Sequence, residues 1–235
     1  MSCSLSAKSK GFTLVELVVT IVILGVLAVS AAPKFADLKS DATIVSLKTM
    51  MGSFKSTNAM VYAKAIFKGA NIKYSEHVEG QYNDNSWTEN CSKNNCIEID
   101  GVWLYLKNAY LDRNSVAFVT DADISGRVTR SITVNGKSIT IPNRNVAGYN
   151  TKCSDSKLKN KVCDDHDFCQ CRYNDKSVPI TFVVDGVKKT KNLQLDAQRF
   201  IPRGYGYTGQ CYLQYTSAEY YTGYAPVYTL VTDDC

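Results

Sequence analysis

Residues 12–32 are apolar except for Thr13, Glu16, Thr20, Gly25 and Ser30, and the one charge among them is Glu16. Those 21 residues would span roughly 30 Å as an α-helix, the thickness of a bilayer core. A secretory signal would close its apolar stretch with a small-residue cleavage site. Here the order is different: Lys8 and Lys10 come first, then Gly11, then the apolar run. Pro33 follows it, a residue that can kink a helix and leave it running. Beyond the proline, Phe35, Leu38, Ala42 and Val45 fall at helical spacing. Leu47, Met51, Phe54, Val61 and Ala65 continue the stripe, with Asn58 interrupting it. Lys39, Asp41, Lys48, Lys55, Lys64 and Lys68 occupy the other faces, and Gly69 is a candidate C-cap. The pattern predicts one helix, apolar all round over 12–32 and amphipathic over 33–69. Its first half needs lipid or other helices around it; its second half needs a globular partner.

From about Ile97 the period changes to that of strands. Residues 128–134 alternate, Asn135-Gly136 supplies a turn, and 137–141 alternate again, a strong local hairpin signal. A second hairpin is predicted over 180–184 and 187–195 around Asp185-Gly186, and a third pairs 210–216 with 226–232. Residues 70–96 and 143–177 are rich in Asn, Asp, Ser and Lys and read as loops pinned by cysteines. A helix followed by hairpins predicts an α+β fold, its 70–235 head an antiparallel sheet packed on the helix.

The chain of 235 residues is long enough for one sizeable core. Its net charge is +5, and would be +3 without residues 1–11, with 25 basic against 22 acidic side chains. So mild a charge does not argue for nucleic acid as the main partner. Of nine cysteines, Cys3 lies in those first eleven residues. Loss of that segment would leave an even set: Cys91, Cys96, Cys153, Cys163, Cys169, Cys171, Cys211 and Cys235. An even set in an exported chain points to disulfides. Cys169 and Cys171 are too close for an easy bond with each other. Cys91 with Cys96, and Cys153 with Cys163, could close short loops. Cys211 and Cys235 could then take Cys169 and Cys171, or pair together.

Gly11-Phe12-Thr13-Leu14-Val15-Glu16-Leu17 resembles the cleavage motif of type IV pilins and the related pseudopilins. The likeness continues through Gly25 and Pro33, and the stretch 18–37, with its Ala31-Ala32-Pro33-Lys34-Phe35, is most similar to mannose-sensitive haemagglutinin-type pilins. It is specific over about residues 8–45 and fades in the head. It implies that residues 1–11 are a leader, that a prepilin peptidase cuts between Gly11 and Phe12, and that the new amino terminus of Phe12 is methylated. In such filaments the Glu16 carboxylate faces the positive amino terminus of a neighbouring subunit, which answers the cost of a lone intramembrane acid. Gly25 and Pro33 would weaken the middle segment of the helix, which in related filaments is partly unwound and would allow extension under load. The resemblance further implies an inner-membrane precursor that becomes an extracellular pilus. Its partners would be other copies of itself, the assembly machinery and surface glycans, and its roles adhesion and twitching motility. It also implies that Cys211 and Cys235 pair together, enclosing a C-terminal loop. A pseudopilin of a type II secretion system and a DNA-uptake pilin are the alternatives. For the latter, Lys152, Lys157, Lys159 and Lys161 form a basic strip, diluted by Asp155, Asp164 and Asp165.

Three other clusters carry weaker signals. Cys163 to Cys171 holds thiols, His166 and three carboxylates, but an export signal favours disulfides over a metal there. Asp121-Ala122-Asp123-Ile124-Ser125-Gly126 matches the first half of a calcium loop, yet Ile132 stands where its bidentate acid belongs, so a polar turn is expected. Tyr205, Tyr207, Tyr212, Tyr215, Tyr220, Tyr221, Tyr224 and Tyr228 crowd the end and suit either ligand contact or packing on a strand face. The two histidines, His77 and His166, sit in polar loops and no nucleophile–base arrangement is evident, so no enzyme and no cofactor is expected.

Overall fold

The computed structural model describes residues 12–68, 96–134, 136–143, 151–173, 177–184, 187–194, 197–217 and 225–235. Gly11, Gly69, His77, Cys91, Asn135, Asp185, Gly186, Tyr220, Tyr221 and Tyr224 lie outside these. Helix α1 runs Leu14–Phe67 and passes both Gly25 and Pro33 without a break. The chain divides into two units, Met1–Ala42 and Thr43–Cys235. In the first, every described side chain from Phe12 to Ser30 is exposed. The hydroxyls of Thr20 and Ser30 donate back to the carbonyls of Leu17 and Leu27 at 2.8 and 2.9 Å, so the run offers no unpaired hydroxyl donor.

The second unit is the α+β head. β1 (Cys96–Ile99), β2 (Val102–Lys107), β3 (Tyr110–Leu111), β4 (Thr129–Val134) and β5 (Lys137–Pro142) make one sheet, in the order β1-β2-β5-β4 with β3 on β2. Its pairings are antiparallel except β2 with β5, which join in parallel at Val102 and Thr140. The β1–β2 turn is Asp100-Gly101, both at positive φ as a tight two-residue hairpin turn requires. β6 (Phe168–Tyr173), β9 (Ala197–Pro202), β10 (Cys211–Thr216) and β11 (Val227–Thr232) form an antiparallel sheet in the order β11-β10-β9-β6. β7 (Ser177–Val184) and β8 (Val187–Gln194) pair as a separate hairpin.

All three predicted strand pairs form; the first two are in the register of a two-residue connection, and the third joins Thr216 to Val227 across a longer one. β9 was not foreseen. β6 corrects the expectation of a loop over 143–177: its Cys169 and Cys171 look like loop staples in sequence, yet they alternate onto one buried face of a strand.

The core of the head is built on α1. Leu47, Met50 and Phe54 meet Val116, Ile124, Phe200, Leu213 and Tyr215, while Val61 and Ala65 meet Ile97, Leu104, Leu106 and Leu111. Phe54 packs edge-on to Phe200 and Tyr215 at 5.2 and 6.2 Å between ring centres. Each buried Leu, Ile, Val, Met or Phe among them contributes about 1.5–3 kcal/mol. Burial of the stripe starts at Leu47, later than its periodicity suggests, since Leu38 and Val45 are 62% and 60% exposed.

Asn58, an interruption in the sequence pattern, is 2% exposed and joins the helix to both sheets. Its Oδ1 accepts the Leu111 amide at 2.9 Å, and its Nδ2 donates to the Tyr228 and Tyr215 hydroxyls at 2.8 and 3.3 Å. The Tyr215 hydroxyl in turn donates to the Leu111 carbonyl. A second buried network, farther along, ties the sheets together. The Arg113 amide donates to Ser217 Oγ at 2.7 Å, its guanidinium reaches Gln198 Oε1 at 3.3 Å, and Ser217 Oγ donates to Asp112 at 3.1 Å.

Burial raises the Tyr215 hydroxyl well above the ordinary tyrosine range, with neighbouring Tyr228 adding to it, and Tyr228 and Tyr110 are raised by burial as well. A raised pKa makes the folded state resist deprotonation that the unfolded chain accepts. Stability is therefore full below about pH 10, the unfolded tyrosine value, and falls as pH rises above it. An alkaline denaturation series should show this loss, and Tyr215→Phe should flatten its slope.

The N-terminal helix and the cystine-braced head

The chemistry foreseen at the amino end rests on Gly11, Phe12 and Glu16, of which Gly11 lies outside the described residues. Thr13 stands just before α1 and Glu16 lies in its first turn. The Glu16 carboxylate accepts both the backbone N–H and the hydroxyl of Thr13, each at 2.9 Å, through the same oxygen, Oε2. The Glu16 amide donates back to Thr13 Oγ1 at 3.3 Å. This is a reciprocal capping box, and it starts the helix by satisfying donors that have no turn before them. The signal was present as Thr13-x-x-Glu16, so Thr13 is a residue that the sequence reading missed. It changes the picture of Glu16, whose carboxylate is hydrogen-bonded within its own chain. Two hydrogen bonds do not cancel a net charge, so the appetite for a cation in low dielectric remains.

Phe12 is 79% exposed and stands immediately ahead of this box. From Leu14 to Ala31 the helix is long and apolar enough to cross a membrane. A Cβ built on Gly25 would meet nothing within 4 Å, so packing within this chain does not require a glycine there.

In the head the disulfides are Cys153–Cys171, Cys163–Cys169 and Cys211–Cys235. Cys96 is also disulfide-bonded. The suggested Cys153–Cys163 pair does not form, nor do Cys169 and Cys171 reach Cys211 or Cys235. β6 decides this. It presents Cys169 and Cys171 on one face, and the 151–163 loop crosses that face. A bridge between Lys152 and Arg172 brings Cys153 to Cys171, while backbone bonds to Tyr205 and Gly204 hold Cys163 beside Cys169. Cys235 meets Cys211 because the chain turns back after β11, its amide on the Thr232 carbonyl, and the Tyr205 hydroxyl donates to the Cys235 carbonyl at 2.7 Å. Mass spectrometry of the non-reduced protein should find these six thiols unreactive and recover the three cross-links. The Cys211→Ser/Cys235→Ser variant, which opens a 24-residue loop, should lose about 3 kcal/mol.

The 121–126 segment lies along β6 and ends in the expected polar turn ahead of β4, where the Arg127 amide donates to the Ile124 carbonyl at 3.4 Å. Phe168 donates to the Asp123 carbonyl, Ser125 donates to the Phe168 carbonyl, and the Ser125 hydroxyl accepts the Gln170 amide. The Asp123 carboxylate meets His166 Nδ1 at 3.0 Å. Among the described residues no three His, Cys, Asp or Glu side chains gather at one point. Lys152, Lys157, Lys159 and Lys161 are exposed on the cystine loop, with exposed Asp164, Asp165 and Asp167 following them. Of the terminal tyrosines, Tyr212 and Tyr215 are buried, and Tyr205, Tyr207 and Tyr228 are half-buried. Arg199 is clamped between the rings of Tyr173 and Tyr212, at 3.8 and 4.0 Å. These described tyrosines thus serve packing first.

Comparison with known proteins agrees with the chemistry at the amino end. Residues 6–32 match the family described as the prokaryotic N-terminal methylation motif. Over 58 residues, 25% of the chain, the protein is 36% identical to the type IV narrow pilus major component of Thermus thermophilus. The chain spans half the length of that relative. No solved structure gives a significant match. The protein therefore carries the N-terminal methylation signal of type IV pilins and is similar, over a quarter of its length, to a pilus subunit.

Proposed function

We propose that this protein is a structural subunit of a type IV pilus, made as an inner-membrane precursor and assembled with copies of itself into a surface filament. The observation that carries this is the Thr13–Glu16 box at the head of an exposed, membrane-length helix, within a matched methylation motif. Prepilin peptidase cleaves between Gly11 and Phe12, and Phe12 is N-methylated. The charge that Thr13 leaves uncancelled on Glu16 is then met by the Phe12 amine of a neighbour. The helix has two successive solvents, lipid before assembly and other helices after it. Gly25 and Pro33 are weak points in its hydrogen-bond ladder, where the helix loosens and lets the filament extend. The cystine-braced head faces outward, for adhesion to glycans or other surfaces and for motility by retraction, as in mannose-sensitive haemagglutinin-type pilins.

Immunogold labelling of native cells should decorate long surface fibres, and mass spectrometry of those fibres should find methylated Phe12 as the first residue. Label confined to the periplasm would replace this reading with the secretion pseudopilin. Surface fibres that bind DNA through the 152–161 lysines would replace it with the uptake pilin.

A further inference from the structure

We infer that the β7–β8 hairpin is a docking arm, which seats its apolar face on the Thr43 end of the head of a second copy of this chain. The inference deepens the filament reading above and rests on it for the parallel arrangement of the copies.

β6 and β9 pair as far as Tyr173 and Ala197, and β10 ends beside them at Thr216. Pairing resumes between Ser177 and Gln194 and runs to Val184 and Val187. The arm is thus eight residue pairs of two-stranded ladder, roughly 26 Å, outside the four-stranded sheet. Among the described residues neither strand pairs with any other. Two strands alone are marginally stable in water and need a third strand or a surface to pack on. Register makes this hairpin two-sided. Val178, Ile180, Phe182, Val184, Val187 and Leu193 share one face with Lys189 and Lys191, while six of the eight positions on the other face are polar.

The arm leaves the sheet at the end where Tyr215 meets Asn58, and the acceptor surface lies at the opposite end. There the Tyr205 hydroxyl stands 3.5 Å from Thr43 Oγ1, about fifteen residues and roughly 22 Å back along α1. Val162, 48% exposed, bridges Gly206 beside the half-buried Tyr207. Burial, and then the charges of Asp164 and Asp165, raise the Tyr207 hydroxyl, so both exposed carboxylates stand near that ring. Across segments 121–127, 157–167, 203–211 and 232–235, seven aspartates stand against five lysines and arginines, which leaves this end net acidic. An exposed apolar spot flanked by carboxylates matches an apolar face flanked by lysines.

Because the two surfaces lie at opposite ends of one sheet, each copy offers its arm to one neighbour and its acidic end to another. Such head-to-tail contacts build open fibres when they do not close into a ring. Pairing Glu16 with the Phe12 amine of a neighbour requires parallel copies, and parallel copies bring the arm end of one toward the Thr43 end of another farther along.

The test places a photo-crosslinking phenylalanine analogue at Phe182 of the full-length chain in cells, a change that keeps an aromatic ring. Illumination should give a two-chain adduct, joined within residues 162–165 or at Tyr207 of the other copy after reduction and trypsin digestion. Attachment elsewhere on the protein, attachment to phospholipid, or no adduct between copies would overturn the inference. Adding Lys189→Glu/Lys191→Glu should lower the adduct on the order of fivefold, and Asp164→Lys/Asp165→Lys in the same chain should restore it. A loss that the second pair does not restore would overturn the charge match. The adduct is read in whole cells, and immunogold labelling reads the fibre. Fibres without the adduct sink the arm alone, and the adduct without fibres sinks the filament alone.

Discussion

Replacing Glu16 by alanine is expected to remove the protein from surface filaments while leaving it in the membrane fraction. The apolar run over 14–31 carries insertion, and alanine only makes it more apolar. What disappears is the charge that distinguishes a filament end from lipid. The informative variant is Glu16→Gln, because the capping box makes two properties of this residue separable. Glutamine keeps an oxygen that can accept the Thr13 amide and hydroxyl, so helix initiation survives. It has no charge to offer the amine of a neighbouring Phe12. Both variants should lower the yield of sheared filaments on the order of tenfold or more, with unchanged amounts in the membrane. If Glu16→Gln assembles like the unaltered protein, charge pairing is wrong and the carboxylate serves only to cap the helix.

The second large effect is expected at Asn58. Truncation to alanine strands the buried Leu111 amide without an acceptor, removes a donor to two tyrosine hydroxyls and leaves a void beside Phe54. An unsatisfied buried donor costs about 1–3 kcal/mol and the void adds to it, so a loss of about 3–4 kcal/mol is expected. For a unit of this size that lowers the melting temperature by roughly 10 °C. Near-ultraviolet circular dichroism of the full-length protein during urea or thermal unfolding would measure it. Asn58→Asp keeps an oxygen for the Leu111 amide but buries a carboxylate, so at neutral pH it should lose at least as much as alanine and recover part of that loss as the pH falls. A loss that does not change with pH would show that the carboxylate reaches solvent.

Local features of the molecule were open to reading because each depends on a few neighbouring residues. The α1 pattern follows from periodicity, and the 137–142 and 187–194 strands follow their partners because their turns fix register. The methylation motif over residues 6–32 was visible for the same reason, as a short local pattern. Thr13 was missed although its signal lay three residues from Glu16, since the apolar run drew attention to the charge and away from its cap.

Sequence by itself determined that a membrane-length helix bearing one acid leads into an amphipathic helix and a strand-rich, cysteine-braced head. Periodicity, turn chemistry and composition are local, and they suffice for that. Only the tertiary structure decided which cysteines pair, because the choice rests on β6, a strand hidden in a polar stretch, turning Cys169 and Cys171 to one face under a crossing loop. Likewise, only the fold turned Asn58 from a flaw in an apolar stripe into the link between helix and sheets. Its partners, Leu111, Tyr215 and Tyr228, are far away in sequence, and a buried polar group has value only once its distant hydrogen bonds are in place.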